Sequence, residues 1–546
     1  MKTIKLQDKV LYQIFPRSFK DSTGNGNGDI KGITSKLDYL KDLGINGIWL
    51  CPIYETNFVD AGYDVLDYKQ VWKQFGTLED FKELTTEARK RGIDIIMDIV
   101  LNHVSNEHNW FKKACESVDN VEHNYFIWRK TLSENEKKAQ SIFGGSAWEY
   151  VKSIDKYYFH LFAKEQVDLN WQDPSTIKAM VEVINFWYDL GVRGFRLDAI
   201  KHVAKDFDDI ENIYFSWCKG SVDFLKDFTK QAFSGKDDAY TLGEASGINL
   251  EELLKYGSGK DKVSDNYFNF SWWWIGWSKE TGRKGYDANW DFKEFALQQK
   301  PFQETKEVKP EMITNFLSNH DTARSISRWG DVNYFWEESA KTHALMLFAL
   351  KGIPCIYYGE EIGLLNNRFK ERNDFRDCDV FSGYIDLVDT EKKYTEEEFT
   401  KYNNINSRDA GRAIMQWNKS NNKGFNTTGK TWIKYNDSTF LNDNVQDQLN
   451  DKNSIFNFYK NIINLRKNDY AKVLIEGNSK IELQNDIIVI TRTNEKSKLV
   501  ALINMQNKEI NFNLPEGKIL ISSYNQKPLN YKLRAFESVL IEIKEV

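Results

Sequence analysis

The chain has 546 residues, room for several domains at roughly 100–200 residues each, so a peptide or a single small module is excluded. With 41% hydrophobic and 28% charged residues, and 74 basic against 80 acidic side chains for a net charge of −6, it has the balance of a globular protein. No basic excess invites nucleic acid or anionic lipid. Aromatic residues make up 14% of the chain, which suits either bulky cores or stacking surfaces for sugar-like ligands.

In chain order, the opening MKTIKLQDKV carries charges at Lys2, Lys5, Asp8 and Lys9 and lacks the apolar run of a secretory signal, which predicts a cytoplasmic protein. Nothing approaches 18 consecutive apolar residues, so no membrane span is expected. The five cysteines, Cys51, Cys115, Cys218, Cys355 and Cys378, are far apart and suggest neither a disulfide framework nor a zinc site. Residues 21–29, DSTGNGNGD, set oxygen-bearing groups at alternate positions: Asp21, Thr23, Asn25, Asn27 through its backbone, and Asp29. This is the start of an EF-hand-like loop with Gly26 at the turn, but Gly32 stands where the bidentate Glu belongs. A plain Gly/Asn turn is the alternative.

One pattern then recurs: an amphipathic helix, a glycine where it stops, and a short apolar run ending in polar residues. It is seen in LDYLKDLGINGIWLCP, EARKRGIDIIMDIVLNH, WYDLGVRGFRLDAI and FALKGIPCIYYGEE. Thr77 with Asp80 marks one helix start, and Asp173 followed by Pro174 another. Helices alternating with buried strands predict a parallel sheet. Eight candidate strands, at 10–15, 45–51, 93–100, 192–198, 239–244, 265–270, 313–319 and 352–358, predict an α/β fold built on a (β/α)8 TIM barrel. A doubly wound sheet is disfavoured because no phosphate-binding glycine loop follows a strand. Residues 1–103 and 172–466 form the predicted barrel and 104–171 an inserted subdomain after strand 3. From 467 to 546 the period becomes two, predicting a C-terminal antiparallel β-sandwich domain.

Chemistry in such a barrel sits at the carboxyl ends of the strands. Strand 3 ends with Asp98, Asn102 and His103, strand 4 with Arg196 and Asp198, strand 5 with Glu244, and strand 7 with Asn319, His320 and Asp321. Arg196 and Asp198 are two apart on one strand face, so the cation is expected to keep Asp198 ionised, as a nucleophile requires. Glu244 has no basic neighbour in sequence, and burial is expected to raise its pKa, as a general acid requires. Two carboxylates in contrasting surroundings suit glycoside hydrolysis.

DIVLNH (98–103), VDLNW (167–171), GFRLDAI (194–200), TLGEAS (241–246) and FLSNHD (316–321) resemble, in order and spacing, the motifs of the α-amylase superfamily, glycoside hydrolase family 13. VLYQIFPRSFKDS, GYDV, GEEIG and SRDAGRAIMQW extend the resemblance over nearly the whole chain, closest to the oligo-1,6-glucosidase and α-glucosidase branch. The resemblance implies a retaining, exo-acting hydrolase that needs no cofactor for catalysis and takes a small oligosaccharide or disaccharide, and a monomer is expected. By position, Asp198 is the expected nucleophile, Glu244 the acid/base and Asp321 the third carboxylate. Asp60, Tyr63, His103, Arg196, His320 and Arg412 match positions around the terminal glucose, with Asp60 and Arg412 clasping its 4-hydroxyl end and Phe143 and Phe162 as apolar walls. Relatives carry Ca2+ at the loop matching 21–29. One carboxylate fewer here predicts a weaker, Mg2+-tolerant structural site.

In this branch the residue after the nucleophile tracks linkage, and Ala199 favours α-1,4 over α-1,6. A phosphotrehalase or a sucrose-acting relative is the alternative, with Lys279, Arg283 and Lys284 as the basic cluster a phosphate would need. The chain departs from the branch at Ala61, where asparagine is usual, at Val167, where proline is usual, and in FNFSWWWIGW (268–277), whose Trp272, Trp273 and Trp274 either wall the leaving-group side or pack in the core.

Overall fold

Eight short strands close on themselves in chain order: β1 (Leu11–Ile14), β2 (Gly47–Leu50), β3 (Asp94–Val100), β4 (Gly194–Asp198), β5 (Tyr240–Gly243), β6 (Asn266–Phe268), β7 (Ile313–Asn315) and β8 (Ile353–Tyr357). The computed structural model describes residues 5–215, 217–435 and 443–543. Lys2 and the last three residues of the apolar run that begins at Ser538 lie outside them. Each strand pairs in parallel with its neighbours, and β8 returns to β1 through Leu11 opposite Cys355. These strands are apolar on both faces because one face fills the barrel and the other meets the helices around it. Every predicted strand is present. β6 and β7 are shorter than expected, since polar residues from Asn269 and from Ser318 onward leave the ladder to line the mouth.

The helix signals work as local chemistry requires. In α1 (Leu78–Lys90), the Thr77 hydroxyl accepts from the Asp80 amide and the Asp80 carboxylate accepts from the Thr77 amide, which satisfies two donors that helix geometry leaves free. In α2 (Pro174–Asp189), Asp173 caps the Ser175 amide, while Ile177, Met180, Val183, Ile184 and Trp187 are buried. Burying an Ile or Met side chain of this kind contributes about 1.5–3 kcal/mol. Helical spacing in the sequence predicts Ile177, Met180, Val181, Ile184 and Tyr188 on one face; in the structure Val183 and Trp187, whose indole donates to the Tyr68 carbonyl, take the buried places of Val181 and Tyr188, which are half-buried.

Between β3 and β4, Trp128–Arg129, Trp148–Val151 and Lys156–Phe159 form a three-stranded antiparallel sheet, and Gln166–Asp168 pairs with His103–Ser105. Lys205 ties this segment to the barrel: its ammonium bonds Asp168 at 2.8 Å, Asn102 at 2.8 Å and the His202 carbonyl. Its side chain is 2% exposed and that of Asp168 is 0% exposed, so each charge depends on the other.

At the C-terminal end a five-stranded antiparallel sheet carries one face (Ile488, Ile490, Leu499, Ala501, Leu540) in the main core and the other (Ile487, Val489, Val500, Leu502, Ile541) in a small outer core. The two-stranded ribbon of Ile510–Asn511 and Lys532–Leu533 supplies Ile510 and Leu533 to that outer core, so the sandwich is lopsided. Trp272 and Trp273 are buried among Phe316, Trp329 and Trp277, which makes them core residues and not walls of a pocket, while Trp274 is exposed. Among the described residues no helix is long and apolar enough to cross a membrane.

Candidate active site

Asp198 is the last residue of β4, and Glu244 follows β5 directly. Adjacent strands in parallel register set Arg196 beside Asp98, so a cation and an anion point into the barrel mouth from neighbouring positions. Arg196 Nη1 donates to Asp98 Oδ1 at 2.8 Å and to Asp198 Oδ1, and its Nη2 stands 2.8 Å from Glu244 Oε1 in an ion pair. One guanidinium therefore joins three carboxylates, and Glu244, without a basic neighbour in sequence, has one in space. Glu244 Oε2 also accepts from the Ala199 amide at 2.9 Å. Ala199 pays for this with a left-handed backbone, φ 48°, a conformation that costs a non-glycine residue of order 1 kcal/mol or more.

Burial raises the Asp198 carboxyl well above its ordinary range; Arg196 opposes this, while Glu244, Asp98 and Asp321 reinforce it. Arg196 favours the ionised form, as expected, without cancelling the effect of burial and like charge. The guanidinium is shared among three anions and cannot offset desolvation and like-charge repulsion at Asp198.

A second cluster faces the first. Arg408 Nη2 lies 2.9 Å from Asp60 Oδ1 and Nη1 3.3 Å from Asp321 Oδ1, and both Arg408 and Arg412 reach Asp377 at 2.8 Å. Arg412 donates to the His320 carbonyl at 2.9 Å and stands 3.8 Å from Asp321. Asp60 is paired by Arg408, and Arg412, expected with Asp60 around the sugar, stands in the same cluster through Asp377. The two arginines are four apart across the short helix Arg408–Gly411, so their heads share one side. Ala61, beside Asp60, is left-handed at φ 54°, a geometry that suits the usual asparagine better, and nothing in the structure explains the alanine.

Tyr63 and His320 connect the clusters. Their rings stack at 5.2 Å; Tyr63 Oη donates to Asp98 at 2.8 Å and lies 2.6 Å from His320 Nε2, which stands 3.1 Å from Asp321. Burial alone would lower His320, but the Asp321 carboxylate outweighs it and raises the imidazole to about 10. Against its own burial, Asp321 is held well below the ordinary aspartate range by His320, Arg408 and Arg412. His103 is lowered by burial and lies 3.0 Å from Gln166, which donates to Asp60 at 3.1 Å. Phe143 lies under Arg408, and Phe162 is against His103 and Phe143.

All the catalytic and substrate-binding residues expected from sequence meet here. Asp98, Gln166, Asp377 and Arg408 join them without having been assigned to the site. Asp98 could have been found from its register with Arg196, and Arg408 from its spacing to Arg412. Asp377 carried no local signal.

The loop 21–29 does not join the site and does not form an ion cage. Asp21 accepts from the Thr23, Gly24 and Gly26 amides and from Asn426, and Asp29 from the Ser22, Thr23 and Gly32 amides and the Ser22 hydroxyl. The Thr23 hydroxyl donates to Asp21, Asn25 Oδ1 accepts the Asn27 amide, and the Asn27 side chain bonds Arg17 and Gln74. With both carboxylates saturated by N–H and O–H donors, the set does not fit Ca2+ or Mg2+, and the expected site is replaced by a hydrogen-bonded turn. Among the described residues, no three His, Cys, Asp or Glu side chains group as metal ligands.

Residues 13–477 match the family model for the alpha amylase catalytic domain. The chain is 35% identical to an oligo-1,6-glucosidase of Parageobacillus thermoglucosidasius over 100% of both chains. Among solved structures it resembles a trehalose-6-phosphate hydrolase of Bacillus licheniformis (34% identity, TM-score 0.88, 98% of this chain and 99% of that one). It also resembles an isomaltulose synthase of Protaminobacter rubrum (31% identity, TM-score 0.90, 100% of both). With a closed barrel and carboxylates gathered at the carboxyl ends of its strands, the chain belongs to the alpha-amylase family of glycoside hydrolases, enzymes that cleave glycosidic bonds with retention of configuration.

Proposed function

We propose that the protein is an exo-acting α-glucosidase that releases glucose from the non-reducing end of short α-glucosides, with α-1,4 linkages favoured. The observation that carries this is the pair of facing clusters: Arg196 bridges Asp198 and Glu244, and Arg408 with Asp60 and Asp321 closes the opposite end. A site closed beyond the first sugar takes only a chain end. In this reading the catalytic unit comprises 1–103 and 172–466, with 104–171 and 467–546 as accessory domains.

Glu244, protonated, gives its proton to the glycosidic oxygen as Asp198 attacks the anomeric carbon; the alcohol leaves and a glucosyl ester forms on Asp198. Glu244 then takes a proton from water, which attacks the anomeric carbon from the face the alcohol left and displaces Asp198. Two carboxyls on one guanidinium suit the separation of about 5–5.5 Å that this mechanism uses. Asp321, ionised, binds the sugar hydroxyls and stabilises positive charge on the ring.

Ala199 beside the nucleophile supports α-1,4, while the oligo-1,6-glucosidase relatives support α-1,6 as the second reading. One methyl-sized difference is worth only about 1–3 kcal/mol, so the preference is expected to be partial. A phosphorylated substrate is disfavoured because Arg283 is engaged by Asp379 at 2.8 Å, and Lys284 by Ser382 at 3.1 Å and Asp386 at 3.7 Å. The test is incubation with maltose, isomaltose, sucrose, trehalose and trehalose 6-phosphate. Maltose is expected to be cleaved fastest and trehalose 6-phosphate not at all. Inactivity on every α-glucoside would overturn the proposal, and a preference for isomaltose would overturn the linkage.

A further inference from the structure

Gln13, on β1, lies beneath the carboxylate clusters with 1% exposure. Its amide nitrogen stands 2.7 Å from His320 Nδ1 and 3.2 Å from Cys51 Sγ, while its oxygen is buried without a partner. The two ends of an amide have the same shape, so the surrounding hydrogen bonds decide which faces where. With NH2 toward His320, the amide donates to Nδ1 and the imidazole must be neutral. With the oxygen toward His320, the amide accepts from an Nδ1–H and from the Cys51 thiol. Either way one end of the amide is left over, so the choice rests on what the histidine needs.

The groups facing His320 are few. Asp321 stands 3.1 Å from Nε2, Tyr63 is stacked on the ring, Trp49 meets it edge-on at 5.7 Å, and Cys51 lies beside Gln13. Arg412 donates to the backbone carbonyl of His320, and Arg196 lies behind Tyr63 at 5.9 Å. Asp321 is thus the ionised group in direct contact with the ring, and Tyr63, whose proton goes to Asp98, offers Nε2 only an acceptor oxygen. Nε2 must therefore carry a proton. A second proton on Nδ1 needs one more acceptor, and Gln13 stands 2.7 Å from it, with the Cys51 sulfur, itself in contact with the ring, beside the amide.

We propose that Gln13 is a positioning residue whose amide carbonyl on Nδ1 fixes His320 as an imidazolium, which in turn holds Asp321 ionised and directed into the pocket. The upward displacement of His320 and the low range of Asp321 agree with this arrangement. The importance of Asp321 rests on the functional reading above; the protonation of His320 does not.

The test is 15N NMR of the full chain labelled at histidine, with His320 identified by the signal lost in His320→Asn, together with pH profiles of kcat/KM on maltose. At pH 7 both ring nitrogens of His320 are expected to be protonated. Gln13→Leu is expected to lower the His320 titration by a unit or more and to move the alkaline fall of kcat/KM with it, a loss that approaches about tenfold only above pH 10. Gln13→Glu, which keeps an acceptor, is expected to keep the imidazolium. A neutral His320 in the unsubstituted protein at pH 7, or an unchanged His320 titration in folded Gln13→Leu, would overturn the proposal. Both results are independent of whether maltose is the substrate.

Discussion

The two arginine clusters at the barrel mouth are built from the same groups and solve different problems. Around Arg196, one cation serves Asp98, Asp198 and Glu244, so negative charge is in excess and burial pushes the Asp198 carboxyl up. Around Arg408 and Arg412, two cations and the nearby imidazole of His320 serve Asp60, Asp321 and Asp377; Asp321 is held well below the ordinary range, and Asp377 is lowered to about 2 despite its burial. Burial acts in both: it prevails at Asp198, and at Asp409 beside Arg412, and is outweighed by the nearby cations at Asp321 and Asp377. A carboxylate that must change its bonding during the reaction sits where charge is poorly balanced; carboxylates that must stay ionised to hold sugar hydroxyls sit where it is well balanced.

Removing the reacting groups gives the largest expected effect. Asp198→Asn should lower kcat by about 10⁴-fold or more, and Glu244→Gln should do nearly as much on substrates with poor leaving groups, measured on maltose. Appreciable turnover in Asp198→Asn would remove that cluster from the chemistry. Next in size is Arg408→Ala, which leaves Asp60 and Asp377 short of a cation in a buried site. A stability loss of about 3–5 kcal/mol in denaturant unfolding, with a raised KM, is expected. A near-neutral result would mean that Arg412 alone balances the second cluster.

The comparison also has a sign in pH. Asp198 must be ionised to attack and its pKa is raised, so kcat/KM should fall as pH drops through a value above 3.8, the ordinary aspartate value. Removing the neighbouring like charge in Asp98→Asn should shift this acid limb to lower pH, read with an activated aryl glucoside. An acid limb in the ordinary aspartate range in the unsubstituted enzyme would contradict the charge imbalance. The smallest effect is expected away from both clusters: Lys205→Met should destabilise the contact of the inserted segment with the barrel and leave the pH limbs in place, measured by thermal unfolding and the same profiles.

The first cluster was legible because barrel strands place the last residues of each apolar run at one mouth, so Asp98, Arg196, Asp198 and Glu244 announce themselves by position. The second was only half legible. Arg412 was found through its motif, but Arg408 is the arginine that meets Asp60, since two residues four apart on a short helix compete for one partner and sequence does not say which is nearer. Asp377 arrives on a long connection after β8, where no periodicity fixes geometry. The loop 21–29 misled for a related reason: alternate oxygens describe an ion cage and a hydrogen-bonded turn equally well, and the backbone amides of Gly24, Gly26 and Gly32 decide between them. The upward pull on Asp198 was not legible, because the sequence shows the cation beside it but not that Asp98 and Glu244 share that cation.

The central claim is that Asp198 is the group that forms the bond to glucose. Incubation with a fluorinated glucosyl fluoride whose ester hydrolyses slowly, followed by digestion and mass spectrometry, tests it directly. The account predicts one added fluoroglucosyl group on the peptide containing Asp198; no adduct, or an adduct carried by Glu244 or Asp321, would contradict it.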